Sequence, residues 1–241
     1  MPNYKLTIEY DGTDFNGWQI QPNARTVEGD IEAALEQIFQ QTIDVVGQGR
    51  TDAGVHAKNQ TAHMLLNEEI KRKELRHKLN RMTKGDVAIK KIEQISDDFH
   101  SRFDASSRLY EYKLLIKPSP LNERYAYVLP RKLDIAKLMS AAGVFIGEHD
   151  FEGFSKKNDD QLTSLCTVYE SEFIMNNNEI VYRIRANRFL RNMVRRIVGA
   201  MIMVGEGKET PQDLEDVLNK RKIISIKTAP AKGLTLMNVF Y

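Results

Sequence analysis

Between Gly49 and Ala57 the sequence runs Gly49-Arg50-Thr51-Asp52-Ala53-Gly54-Val55-His56-Ala57, so a guanidinium, a carboxylate and an imidazole fall within seven positions. An aspartate before Ala-Gly ordinarily serves a turn, because its side chain bonds nearby amides and the glycine accepts positive φ. This connection is longer than a tight hairpin needs, and loops held by a rigid scaffold are where binding and catalytic groups concentrate. Metal chemistry lacks the inventory. His56, His63, His77, His100 and His149 show no zincin spacing, and the single Cys166 is distant in sequence. There is no Walker loop, no Rossmann fingerprint and no G-x-S-x-G. Elimination leaves Asp52, a carboxylate acting as nucleophile, as the leading enzymatic candidate.

The elements around this loop read as strand, helix, strand, strand, helix, strand. Residues 4–10 alternate in polarity and stop at Asp11-Gly12. Thr26 is a plausible N-cap for a helix carrying Ile31, Leu35 and Ile38 at helical spacing, with Glu28 and Asp30 in its first turn. Residues 43–47 and 61–66 flank the loop as short strands, Leu75 and Leu79 mark a basic helix, and residues 87–95 read as another strand. The order recurs with larger insertions: strand 109–116, helix 134–145, strands 167–175 and 180–186, long helix 189–204, closing strand 234–241. The expectation is an α+β fold of two ferredoxin-like βαββαβ halves with mostly antiparallel sheets, spanning 1–104 and 105–241.

Composition is that of an ordinary globular protein, with 41% hydrophobic and 28% charged residues over 241 positions. The N-terminal residues run straight into an alternating pattern, so no secretory signal is expected. The longest apolar run, 197–204, is far short of the roughly 20 residues that span a bilayer, so no membrane association is expected. A lone cysteine can form no internal disulfide, which points to the cytosol, and a free buried thiol is the plain reading of Cys166. Net charge is only +2, but cations crowd two stretches. Lys71, Arg72, Lys73, Arg76, Lys78 and Arg81 read as a solvated helix face. Arg183, Arg185, Arg188, Arg191, Arg195 and Arg196 read as an RNA-facing group. At about 100° per residue, Leu190, Met193, Ile197 and Met201 share one side of the expected helix, with Arg188, Arg191 and Arg195 opposite.

Over nearly its whole length the sequence resembles the tRNA pseudouridine synthase A family. The segment Gly49 to Ala57 is similar to that family's most specific motif. Gly12-Thr13-Asp14-Phe15-Asn16-Gly17-Trp18-Gln19 resembles its N-terminal signature. Phe99-His100-Ser101-Arg102-Phe103 through Arg108-Leu109-Tyr110-Glu111-Tyr112 resembles the central signature, and Phe189 through Met193-Val194-Arg195 to Gly199 the C-terminal one. The resemblance implies the pseudouridine synthase fold with a cleft between the halves, and an isomerase that converts uridine to pseudouridine in tRNA. Its sites would be at about positions 38, 39 and 40 of the anticodon stem-loop, recognised through shape and backbone. Asp52 would be the nucleophile, and Arg50 would occupy the place of the flipped base, for which a planar guanidinium is suited. Tyr110 would stack on the uracil, Arg195 would pair with Asp52, and Leu234 would pack against the base. Phe99, His100, Ser101, Arg102 and Phe103 would bind the substrate.

The isomerisation is redox-neutral and consumes no water or phosphate donor, so it needs no cofactor. The resemblance also implies a homodimer in which tRNA spans both subunits. Family members commonly carry a basic residue near Cys166, so the RNA contact there is not expected. The polar segment 155–161 reads as a surface loop whose Lys156 and Lys157 lie within reach of RNA. Two other functions fit the same residues. An RNA-binding module without catalysis would bind and not turn over. A carboxylate-dependent hydrolase would need a second acid about 5 to 9.5 Å from Asp52, and no second acid sits in the motif.

Overall fold

The computed structural model of the protein describes residues 1–130, 133–156 and 163–241. Two compact units form: Met1–Ser106 together with Thr235–Tyr241, and Ser107–Leu234. The expected loop contacts of Lys157 lie outside the described residues. The fold is mixed, with mostly antiparallel strands, and no described helix is long and apolar enough to cross a membrane.

In the first unit the order is β1 (Asn3–Tyr10), α1 (Val27–Phe39), β2 (Val46–Gly47), β3 (His56–Leu65), α2 (Arg72–Met82) and β4 (Val87–Ile95). β1 lies between β4 and β3, antiparallel to both, with Asn3 opposite Leu65 and Ile95, and Tyr10 opposite Ala57 and Val87. β2 pairs antiparallel with the far end of β3, at Val46–His63. The period of two in β1 buries Tyr4, Leu6, Ile8 and Tyr10, and Val27, Ile31 and Leu35 of α1 and Leu75 and Leu79 of α2 are buried as well. α1 starts where the sequence places it, with the Thr26 side chain accepting the Gly29 amide. The cations of α2 are exposed except for Arg76, whose guanidinium bonds the Lys90 carbonyl, as a solvated face predicts.

β3 begins five residues earlier than its apolar pattern suggests, because His56-Ala57-Lys58-Asn59-Gln60 is largely polar. Those polar groups are used inside the unit. Gln60 is fully buried and donates to the Gly49 carbonyl, and Asn59 donates to the carbonyl of Met237. The last strand, β10 (Leu234–Phe240), runs parallel to β3, with Thr235 opposite His56.

The second unit contains β5 (Ser107–Leu115), β6 (Tyr127–Val128), α3 (Ile135–Ser140), β7 (Gly147–Asp150), β8 (Leu165–Asn176), β9 (Glu179–Ala186), α4 (Met193–Gly205) and α5 (Pro211–Leu218). Its strands lie in the order β5-β9-β8-β7, with β6 parallel to β5. The helix expected over 134–145 is shorter: Asp134 caps α3, and residues 142–145 continue as a 3-10 turn. The helix expected from Phe189 starts only at Met193, because Asn192 takes a left-handed conformation with φ 60 that breaks the helical path. α4 buries Val194, Ile197, Val198 and Met201, and Gly199 lets it approach the chain after α5. A Cβ there would lie 2.1 Å from the Lys227 carbonyl oxygen.

Candidate active site

The loop between β2 and β3 is gripped by the segment that follows β1. Gly12 packs so closely that a Cβ would sit 2.0 Å from the Val55 carbonyl oxygen, and Gly17, at φ 93, would bring one to 2.6 Å from that of Thr51. Both contacts demand glycine, the second also for its backbone angle. Hydrogen bonds close the grip: Trp18 N–H donates to the Thr51 carbonyl at 3.2 Å and Gly54 N–H to that of Phe15 at 3.3 Å. The segments Gly12 to Gln19 and Gly49 to Ala57 therefore form one structure.

Its supports reach further back. The Trp18 indole donates to Glu28 on α1 at 3.1 Å, and Gly47 faces the same ring with no room for a Cβ. Arg25 lies 4.2 Å from the Phe15 ring centroid and donates to both Asp30 and Asp86. Hydrogen bonding to Asp86 pushes the Arg25 pKa upward, and the same bond holds the Asp86 carboxyl below its ordinary value, against the opposing effect of burial.

Within the loop, Arg50 is exposed, Thr51 is buried, Asp52 is half-buried and His56 is buried. Asp52 accepts the Val55 amide on its carbonyl at 3.1 Å, and Gly54 takes φ 77, so the chain turns tightly just after the carboxylate. His56 Nδ1 lies 3.1 Å from both the Gly12 amide and Asp11 Oδ1. One nitrogen cannot accept from the first and donate to the second. The amide always carries its hydrogen, so Nδ1 is the acceptor of the Gly12 amide. Asp11 spends the same oxygen on the Thr13 amide and hydroxyl. His56 is thus a brace for the loop.

The other residues singled out by sequence divide between the units. Ser101 is fully buried, donating its hydroxyl to the Val46 carbonyl at 2.6 Å and its amide to His63 Nδ1 at 3.2 Å. Burial, reinforced by neighbouring His100, lowers the His63 pKa. Around that anchor His100 packs 4.3 Å from the Phe103 ring, Phe103 is 75% exposed, and Arg102 lies over it. Phe99 packs against Tyr241. In the second unit, Tyr110 is buried on β5 edge-to-face with Phe189. Leu234 is buried after a turn pressed on Tyr112, whose hydroxyl donates to the Pro230 carbonyl at 2.7 Å. Burial pushes the Tyr112 phenol upward, keeping it a donor.

Arg195 lies in the first turn of α4, half-buried, with Nε donating to the Ala229 carbonyl at 2.8 Å and Nη1 to Asn192 Oδ1 at 3.0 Å. The arginine group read as one RNA-facing set does not stay together. Arg183 and Arg185 are on β9, bridged to Glu111 and Glu170 at 2.8 and 2.6 Å. Arg196 is turned to the backbone carbonyls of Ile226 and Gly153. Arg188 and Arg191 are exposed on the turn before α4, not on the helix itself. Cys166 is a buried free thiol pushed up to about 11 by burial. Among the described residues no group of three or more His, Cys, Asp or Glu side chains could hold a metal.

Sequence reasoning missed Trp18, Glu28 and Tyr10 as supports of the loop.

A family model described as tRNA pseudouridine synthase matches residues 6–104 and 141–241. A tRNA pseudouridine synthase A of Chlorobium limicola is 40% identical over 244 residues, covering 100% of both chains. That of Chlorobium phaeovibrioides is 40% identical over 243 residues, and that of Acetivibrio thermocellus 37% over 244, again with 100% of both chains covered.

Proposed function

Because the chain belongs to the tRNA pseudouridine synthase family, we propose that Asp52 is the nucleophile with which it isomerises uridine to pseudouridine in tRNA. The observation that carries this reading is the construction of the Asp52 loop. A half-buried carboxylate stands on a turn locked by two glycines that admit no side chain, inside the matched region. Preorganisation of this kind is what a nucleophile needs, since the bound geometry sets much of the rate.

The reaction breaks the bond between uracil N1 and ribose C1′ and makes one between C5 and C1′, with the C5 proton lost and N1 protonated. Atoms and electrons balance without a cofactor. Arg50, exposed beside Asp52, fills the place of the flipped uridine, stacking and hydrogen-bonding at once. Tyr110 supplies the aromatic wall and Leu234 the apolar floor that keep the excised base from escaping. Arg195, oriented by Ala229 and Asn192, keeps the carboxylate ionised and directed. Phe103, His100 and Arg102 offer an exposed aromatic and cationic surface to RNA, anchored by Ser101 and backed by Phe99.

The substrate uridines are those at about positions 38, 39 and 40 of the anticodon stem-loop, recognised by shape and backbone. The protein works in the cytoplasm as a homodimer with tRNA spanning both subunits. Incubation with unmodified tRNA transcripts, followed by carbodiimide-dependent primer-extension mapping, tests this. Stops in the anticodon arm are expected. Stops elsewhere overturn the substrate assignment, and none overturns the activity.

A further inference from the structure

We propose that Tyr10, acting through the hydroxyl of Thr51, is a positioning residue for Asp52. This rests on the reading of Asp52 as nucleophile. Tyr10 closes β1 and is 3% exposed, and its phenolic oxygen lies 2.8 Å from Thr51 Oγ1, itself on a buried residue. Both groups carry one hydrogen and lone pairs, so one donates and the other accepts. The bond links the end of the central strand of a three-strand ladder directly to the residue preceding the carboxylate.

The reason lies in the chain's degrees of freedom. The direction of the Asp52 side chain depends on the plane of the peptide between residues 51 and 52. That peptide's carbonyl accepts the Trp18 amide at 3.2 Å. One hydrogen bond to one carbonyl leaves the plane free to rock about the bond axis. A second anchor off that axis removes the freedom, and the Thr51 hydroxyl supplies it. Thr51 is β-branched, so fixing its oxygen also fixes its Cα orientation. Tyr10 is a rigid partner held by its place in the strand, with the Trp18 ring 6.2 Å away and tilted by 40°. Gly17, at φ 93 and against the Thr51 carbonyl, blocks the loop from moving toward the segment after β1. A buried hydroxyl pair elsewhere in a core would satisfy two polar groups and no more. Here it ties the side chain of the residue adjoining the nucleophile to a different element of the fold.

The test uses substitutions that keep shape and delete one oxygen: Tyr10→Phe, Thr51→Val and the double variant, with Thr51→Ser restoring the hydroxyl. Turnover and KM on tRNA transcript, thermal unfolding, and amide hydrogen exchange of residues 49–55 are measured for each. Tyr10→Phe and Thr51→Val are each expected to lower kcat by about tenfold with KM within about twofold, since small misplacements at a reacting centre cost up to about a hundredfold. The double variant should match the single ones, because the same bond is lost, and Thr51→Ser should return to within about twofold of wild type. Exchange in residues 49–55 should quicken in the variants without the bond. Unchanged kcat in a folded Tyr10→Phe protein, whatever its melting temperature, overturns the proposal, as does a loss confined to KM. Wild-type turnover measured alongside tests the family activity by itself. The exchange readout tests the clamp independently of substrate: exchange unaltered by both single variants overturns it.

Discussion

Arg195 donates its Nε hydrogen to the carbonyl oxygen of Ala229 at 2.8 Å, and the Ala229 amide returns a bond to the Arg195 carbonyl at 3.1 Å. The first turn of α4 and the chain before Leu234 are therefore stitched together at the residue whose charge is proposed to face the nucleophile. Arg195→Met should lower turnover by about a hundredfold while tRNA affinity stays within about twofold. Arg195→Lys keeps the charge but loses the planar fork that meets both Ala229 and Asn192, and should fall between. Weakened tRNA binding with unchanged turnover in Arg195→Met would make this residue a phosphate contact instead.

Asp52→Asn removes the proposed nucleophile while adding no bulk to the turn. Single-turnover assays with excess enzyme should detect no pseudouridine, and filter binding should give a Kd within about twofold of wild type, because phosphate contacts dominate affinity. Activity remaining within about tenfold of wild type contradicts the assignment. The Kd should rise steeply with salt for both proteins.

Gly199→Ala places a methyl group against the Lys227 carbonyl, at 2.1 Å before relaxation. Overpacking of this kind costs about 1–3 kcal/mol, to be read from the urea midpoint. Gly143→Ala meets nothing within 4 Å and should change stability by less than about 0.5 kcal/mol. Equal effects of the two would show that α4 relaxes freely.

The Arg25–Asp86 pair predicts a pH dependence. Hydrogen bonding to Arg25 lowers the Asp86 pKa on folding, so the pair stabilises the protein above the unfolded carboxylate value, and that contribution is lost as pH falls through the lower folded value. With about a quarter of the Asp86 side chain exposed, solvent screening limits it to about 1 kcal/mol. Asp86→Asn should be less stable than wild type at neutral pH, with the gap closing toward the acid end. A gap that is constant with pH would show that packing, not charge, is what the substitution removes.

The sequence by itself determined the elements whose side chains repeat with a clear period. β1 alternates, and Thr26 announces α1 through its cap, because local spacing and local hydrogen bonds decide both. It also marked the loop around Asp52 through the density of functional groups. α5 went unread in the sequence, although Thr210 and Asp213 form a capping box at its start in the structure. What only the tertiary structure decided are matters of partners distant along the chain. The polar start of β3 is a strand because Gln60 finds Gly49 and Asn59 finds Met237, and α4 begins late because of the backbone turn at Asn192. Arginines adjacent in sequence separate because alternation along β9 and the pairing of Arg183 and Arg185 with glutamates on neighbouring strands draw them away from Arg188 and Arg191. Tyr10 illustrates the difference most directly. Its alternation marks it as a core residue of a strand, but a hydroxyl bonded to a threonine 41 positions away has no local signature, since that bond exists only once the sheet has brought the two segments together.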